Sequence, residues 1–468
     1  MVTSEARFRR LQTVRRRAAA IAILNLAFIL GGCASGPAPN LSRLYEAHTT
    51  DRVRVPVIII PGILGSRLVD SATGKEAWPG STRQLLTSDY RQLALRIDPE
   101  TLEPLDDGLV AHQLFSGAVG RDFYGRIVDA LEKIGGYRRA RLGEPAAPGE
   151  ARMYPFAYDW RQDNVVTVRA LDAFIEQIRR DYGDPALRVD VIAHSMGGLI
   201  VRYYERYGTN DVLDGNVFPV TGGGAAKLRR IVLLGTPNQG SVTAIHSFLN
   251  GYQVGLSRLP TEGIATMPSM YQLFPHPLVT WITTTRGTPL ERDLFDVNVW
   301  RRFEWSVFDR NVRRRMTREP GVWPSREIFE RYFEKRLERG RRFVWSLIVP
   351  TGEVELVEPL VFGGDCIPTP ARLVVEEVNG DSVARLRPEQ ILRPVPRFDY
   401  DALMYEPGDG SVTKSSLLGR QELDPSIPRH ENANLEFERA FFVCEDHEAL
   451  TGNVNFLDNL LHHLLSAD

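Results

Sequence analysis

The chain has 468 residues, 43% of them hydrophobic and 25% charged, with a net charge of −2 at pH 7. That length and apolar content suffice for one large core with an inserted subdomain, and the near balance of charge leaves nothing to suggest nucleic acid as a partner. The three cysteines include no Cys-x-x-Cys pair and no clustered Cys/His set, so a zinc site has no support; no metal or organic cofactor is expected.

The amino terminus carries Arg9, Arg10, Arg15, Arg16 and Arg17, then an apolar run over residues 18–30, then Leu30-Gly31-Gly32-Cys33. This layout reads as a bacterial lipoprotein signal peptide over residues 1–32 with its lipobox, the apolar run being short for a membrane span. The alternative is a signal anchor that stays attached; either way the folded part lies outside the cytoplasm. Cleavage would leave Cys33 as an acylated terminus, followed by a Gly-, Pro- and Ser-containing tether over 33–50. Ala34, rather than Asp, after the cysteine points to the outer membrane. Loss of the leader removes six Arg and one Glu and moves the net charge from −2 to −7.

From residue 51 the pattern alternates strands and helices, which implies a mostly parallel sheet covered on both faces. Strands are expected at 55–60, 153–158, 188–193 and 229–234, with helices at 122–134, 165–182 and 196–207. The alternation stops over 242–342, a length that suits an inserted cap rather than a connection. Strands resume at 343–349, 357–362, 371–378 and 440–444, and a last helix is expected at 454–465. The organisation is thus a first core part (51–241), the insertion (242–342) and a second core part (343–468).

Residues 189–198, Val-Asp-Val-Ile-Ala-His-Ser-Met-Gly-Gly, read as an apolar strand, a sharp turn on Ser195 and the start of a helix. This is a nucleophile elbow, in which the residues two before and two after the serine must be small; here they are Ala193 and Gly197. His194 flanks the nucleophile and is expected to point away from it and pack. A serine hydroxyl needs a base, and the base an acid, in the chain order Ser, acid, His. His447 stands between the last strand and the last helix; His430 is the reserve, whereas His246, His276, His462 and His463 read as packing or surface residues. Asp409, in the turn Gly408-Asp409-Gly410, and Asp365, after an apolar strand, compete as the acid. The oxyanion needs two backbone N–H donors: Met196, and Ile63 in the glycine-containing loop Pro61-Gly62-Ile63-Leu64-Gly65.

These residues resemble the lecithin:cholesterol acyltransferase and lysosomal phospholipase family of α/β-hydrolases. Residues 61–68 resemble its oxyanion loop, Tyr158-Asp159-Trp160-Arg161 its Pro-Tyr-Asp-Trp-Arg box with Ala157 replacing the Pro, and residues 235–241 its post-strand loop. The turn 408–412 resembles its acid turn and Asp446-His447-Glu448 its histidine segment. The resemblance implies an α/β-hydrolase fold with Asp409, not Asp365, as the acid, and a cap that shapes an acyl pocket. The stretch around Trp78 and Leu86 lacks the cysteines that bound the eukaryotic lid.

The expected activity is transfer of an acyl group from an ester lipid, with glycerophospholipid foremost, through Ser195 to water or an alcohol. The rivals are a small-ester or thioester hydrolase on the same scaffold, and an inactive α/β-hydrolase used as a binding module. The lipid anchor and the insertion's tryptophans (Trp281, Trp300, Trp305, Trp323) would hold the protein at a membrane surface. Cys366 and Cys444 either pair, as an oxidising compartment allows, or remain buried thiols.

Overall fold

The computed structural model describes residues 39–45, 54–118, 121–147, 149–319, 321–419 and 435–466. The chain divides into two units, Met1–Leu44 and Tyr45–Asp468. The leader, the lipobox and Cys33 lie outside the described residues, as does His430. Within the expected tether, Leu41–Tyr45 forms a short helix instead of coil.

A seven-stranded sheet is built around apolar central strands. In chain order its strands are β1 (Val57–Ile60), β2 (Arg138–Arg139), β3 (Arg152–Pro155), β4 (Val189–His194), β5 (Leu228–Leu234), β6 (Leu360–Gly364) and β7 (Arg439–Val443). They lie in the order β7-β6-β5-β4-β1-β3-β2, and every pairing is parallel. β1 and β4 are buried along their whole length, as central parallel strands covered on both faces must be. This is the α/β-hydrolase fold.

The helices follow from spacing and caps. α1 spans Gly125–Lys133. α2 (Asn164–Tyr182) starts where the Asp163 carboxylate accepts the Val165 N–H, and it ends at Gly183 in the left-handed region. Its buried Val168, Leu171, Ile175 and Ile178 recur every three or four residues on the face toward the sheet, each worth about 1.5–3 kcal/mol on burial. α3 (Met196–Tyr207) is buried on all sides, with Tyr203 stacked on Phe343 and Arg202 and Arg206 donating to the Leu347 and Ser346 carbonyls. α4 (Val242–Asn250) opens the insertion and α6 (Val454–Leu465) closes the chain.

Three sequence expectations change. Residues 343–349 belong not to a strand but to the end of α5 (Arg326–Ser346) and the turn that follows it. Phe329, Phe333, Leu337, Gly340, Phe343 and Val344 are buried at helical spacing, and a short apolar run cannot by itself distinguish the two periods. α5 therefore runs past residue 342, the expected end of the insertion. The strand Leu373–Val378 joins Ile282–Thr284 and Asp381–Arg385 in a separate three-stranded sheet, not the central one. The insertion's four tryptophans are all buried, Trp300 among Phe248, Phe274 and Phe333, so none is available to a membrane.

Cys366 and Cys444 form a disulfide with a Cα–Cα distance of 5.2 Å. It ties the segment leaving β6 to the segment leaving β7, across a sequence separation of 78. Closing a loop of that size restricts the unfolded chain, so Cys444→Ser is expected to lower stability by about 2–4 kcal/mol. Urea unfolding with and without reductant checks this: wild-type protein should weaken on reduction and the variant should not, whereas equal midpoints would show that the bond contributes nothing.

Candidate active site

Ser195 joins β4 to α3 with φ 53° and ψ −124°, a conformation that costs a non-glycine residue on the order of 1–3 kcal/mol. It persists because its N–H is held by the Leu234 carbonyl at 2.8 Å and because its neighbours leave no alternative. A Cβ on Gly197 would come within 2.7 Å of the Ile60 and Pro61 carbonyl oxygens. The small residue there lets the end of β1 reach the elbow.

The structure brings Ser195, His447 and Asp409 together. His447 Nε2 lies 2.9 Å from Ser195 Oγ, and His447 Nδ1 lies 2.8 Å from Asp409 Oδ2. The other carboxylate oxygen of Asp409 accepts the Ser411 and Val412 N–H groups at 2.9 and 2.7 Å, and its carbonyl accepts the His447 N–H at 2.9 Å. Burial works against the Asp409 carboxylate, but the His447 charge and these hydrogen bonds hold it below the usual range. Burial likewise disfavours protonated His447, yet the Asp409 charge and bond, aided by Glu448 and Asp446, leave it above the ordinary histidine value. Such a run can draw a proton from the serine hydroxyl.

Asp365 follows β6 in sequence but pairs with Lys414 at 3.1 Å, away from the histidine. The chain instead leaves β6, makes an excursion and returns through Tyr405–Gly408, which pairs antiparallel with Ile367–Pro370. Asp409 thereby packs against Gly364 at the carboxyl end of β6, close enough that a Cβ on Gly364 would meet the Asp409 Cβ at 2.8 Å.

The loop after β1 lies against Ser195: a Cβ on Gly62 would stand 2.7 Å from Ser195 Cβ and 3.3 Å from its Oγ. The turn closes with the Gly65 N–H on the Gly62 carbonyl at 3.1 Å and puts Leu64, a non-glycine residue, at φ 62°. Ile63 follows Gly62 and Met196 follows Ser195; neither amide has a hydrogen-bond acceptor among the described residues. The loop is braced by the Tyr-Asp-Trp-Arg box. Tyr158 donates its hydroxyl to the Pro61 carbonyl at 2.8 Å and its N–H to Ser66 Oγ at 3.1 Å, and the Trp160 ring N–H binds the Ser66 carbonyl at 3.1 Å. Arg161, fully buried, is paired with Asp159 and Asp107.

His194 does not point away, as its sequence position suggested. Its Nδ1 lies 2.7 Å from the Tyr124 hydroxyl and its Nε2 lies 3.0 Å from the His447 carbonyl oxygen, with the two imidazole centroids 4.9 Å apart. The Tyr124 oxygen also accepts the Gly62 N–H at 2.8 Å. Burial and the nearby His447 charge push the His194 imidazole down to about 3, so it is neutral. Sequence reasoning missed Tyr124; its one signal is an aromatic residue at the cap of α1, where Ser, Thr, Asp or Asn is the rule.

Ser195 and His447 open into a cavity of about 750 Å³ lined mainly by apolar side chains, among them Ile63, Trp78, Leu259, Met267 and Leu273. At its mouth, Leu86 and Leu256 are 52% and 78% exposed. The short helix Thr82–Thr87 and the hairpin Tyr252–Val254/Ser257–Leu259 that carry them are joined by Ser257 Oγ on the Gln84 carbonyl at 3.0 Å.

The family model described as lecithin:cholesterol acyltransferase matches residues 92–342, more than half the chain. The chain belongs to this family. It is a hydrolytic enzyme of the lipid-ester hydrolase and acyltransferase class. No curated protein sequence matches the chain. Among solved structures, the crystal structure of the Tle4-Tli4 complex is similar over 88% of this chain and 99% of that one, at 15% identity and a TM-score of 0.52, a likeness of fold. Mature lipase BlEst2 of Bacillus licheniformis aligns over 89% of this chain and 94% of its own at 12% identity (TM-score 0.32). EstA from Clostridium botulinum aligns over 92% and 91% at 11% identity (TM-score 0.34).

The electrostatics of this lecithin:cholesterol acyltransferase family member predict the titration of its histidines. His447, favoured in its charged form, should titrate above the ordinary value of about 6.5, and Asp409→Asn should lower its midpoint, since burial is then opposed only by Glu448 and Asp446. Because its folded value is raised, the stabilisation from its charge is full below the unfolded value and is lost as pH rises through the folded one. NMR of the imidazole C–H resonances checks both variants; an unchanged His447 midpoint in Asp409→Asn would refute the assignment of the shift.

Proposed function

We propose that this enzyme transfers acyl groups from ester lipids, glycerophospholipids foremost, through an acyl-enzyme on Ser195. The observation that carries the reading is the hydrogen-bonded run Ser195–His447–Asp409 at the wall of a large apolar cavity. Ser195 Oγ attacks the ester carbonyl while its proton passes to His447 Nε2, and the carbonyl electron pair moves onto oxygen. Backbone N–H groups of Ile63 and Met196 stabilise that oxyanion. Collapse expels the alcohol, which takes the proton from His447 and leaves the acyl group on Ser195. Water or a second alcohol repeats the steps in reverse and releases the free acid or a new ester. Asp409 holds the imidazole tautomer and offsets its charge.

Cavity size argues for a long acyl chain over a small ester or thioester. The hydrogen bonds among all three side chains argue against an inactive binding module. Docking to lipid is assigned to the exposed Leu86 and Leu256 at the cavity mouth, with exposed Arg83 and Arg258 beside them for anionic head groups. The lipobox supports an outer-membrane lipoprotein of a bacterial envelope, anchored through acylated Cys33, which raises the local concentration of bilayer substrate. Among the described residues no helix is long and apolar enough to cross a membrane.

Ser195→Ala is expected to leave a folded protein whose esterase rate falls by about 10⁴-fold or more, and to abolish labelling by a fluorophosphonate. Near-wild-type turnover would overturn the reading. Leu86→Ser/Leu256→Ser is expected to lose most of its rate on phospholipid vesicles while keeping its rate on a monomeric short-chain ester. Cys33→Ala should show the same split. Equal loss on both substrates in the leucine variant would show that these side chains serve the site and not docking.

A further inference from the structure

Tyr124 and His194 line the same cavity as Ser195 and His447, but their polar atoms bond each other, the Gly62 N–H and the His447 carbonyl, not the Ser195 hydroxyl or the His447 ring. The donors and acceptors among these atoms allow one arrangement only. The Gly62 N–H donates to the Tyr124 oxygen at 2.8 Å, and because the His447 carbonyl beside Nε2 can only accept, Nδ1 of the neutral imidazole accepts the Tyr124 hydroxyl at 2.7 Å. With Nδ1 accepting, a neutral imidazole carries its proton on Nε2 and donates it to the His447 carbonyl at 3.0 Å. The buried Tyr124 ring stands edge-on to His194, with centroids 5.7 Å apart. The chain of bonds is therefore directional and begins on the oxyanion loop and ends on the backbone of the histidine.

We infer that Tyr124 and His194 are positioning residues that lock the oxyanion loop and the His447 backbone into one register. The inference rests on the reading of Ser195 and His447 as nucleophile and base. The Ile63 N–H and the His447 imidazole come from loops after β1 and β7, strands separated in the sheet by β4, β5 and β6, so no ladder hydrogen bond fixes one to the other. The elbow residue His194 and the cap of α1 supply the missing link. Because the imidazole stays neutral above a pH of about 3, the link holds throughout the working range. An error of a few tenths of an ångström at either end separates proton transfer from oxyanion stabilisation, and both act in the same transition state. The loss on breaking the link therefore falls on kcat and not on KM.

Two side chains dissect the link. Glutamine at 194 can return a donor near the Nε2 position and so restore the bond to the His447 carbonyl. Asparagine can return an acceptor near the Nδ1 position and so restore the bond to Tyr124. The experiment measures kcat, KM and melting temperature of full-length enzyme on a soluble short-chain ester for Tyr124→Phe, His194→Ala, His194→Gln, His194→Asn and the Tyr124→Phe/His194→Ala pair. Tyr124→Phe keeps the ring and is expected to fold; its kcat should fall about tenfold or more with KM within about twofold. His194→Ala should lose at least as much, either amide should recover part of it, and the double variant should be no worse than the poorer single one, because both break one chain. Wild-type kcat in Tyr124→Phe, or multiplying losses in the double variant, overturns the inference. Ser195→Ala, run alongside, separates the two levels: its activity, if retained, refutes the catalytic reading, whereas its inactivity beside a fully active Tyr124→Phe refutes only the link.

Discussion

The close approach of the β1 end to the tight turn at Ser195 is the contact on which the site depends. β1 and β4 are parallel neighbours with Ile60 beside Ala193, so the two loops that leave them emerge side by side at one edge of the sheet. Parallel pairing alone leaves those loops at the ordinary strand spacing of about 4.8 Å, with side chains between them. The missing side chains of Gly62 and Gly197 remove that obstacle, and the loop backbone then rests directly on Ser195. In the mechanism proposed above, a polar backbone brought this near Ser195 stabilises charge without reorganising, which is worth more in a cavity than in water.

A loop so placed has to be held, and the family's aromatic box explains how. Tyr158 and Trp160 bind the carbonyls of Pro61 and Ser66 at the two ends of the loop. Both carbonyls are buried, and leaving either unpaired would cost about 1–3 kcal/mol. The box is itself anchored by Arg161, whose buried guanidinium is tolerable only because Asp159 and Asp107 neutralise it. Asp107 belongs to the matched family region but to no motif legible in one sequence; it is found only by asking what pairs with a buried arginine. The brace thus links a chemical requirement at Ser195 to an ion pair remote in sequence.

Asp409 and His447 reach the site by different routes. His447 follows β7 after a few residues, and the Cys366–Cys444 disulfide fixes the root of that loop to the root of the loop after β6. Asp409 arrives after an excursion that builds two small sheets and comes back to the carboxyl end of β6. The residue nearest that strand end in sequence, Asp365, is spent on Lys414. Order along the chain could not decide between the two aspartates. Resemblance to a family decided it, and antiparallel pairing of Ile367–Pro370 with Tyr405–Gly408 gives the physical reason.

Much of this was determined by sequence alone. Continuous runs of Val, Ile and Leu separated by amphipathic stretches point to a parallel sheet covered by helices, which buries both faces of each strand. The strand, turn and helix around Ser195 are local, so the elbow could be read from ten residues. What the sequence left undecided is non-local. Phe343 and its neighbours suit a strand as well as a helix until the preceding turns of α5 supply the period. The insertion's tryptophans suit a membrane interface until packing buries them against Phe248, Phe274 and Phe333. His194 reads as a packing residue until Tyr124 and the His447 carbonyl, 70 and 253 residues away, are brought to its two nitrogens. Periodicity and turn chemistry act over a few residues and were legible; which partner meets a buried polar atom depends on how distant segments pack, and only the tertiary structure decides that.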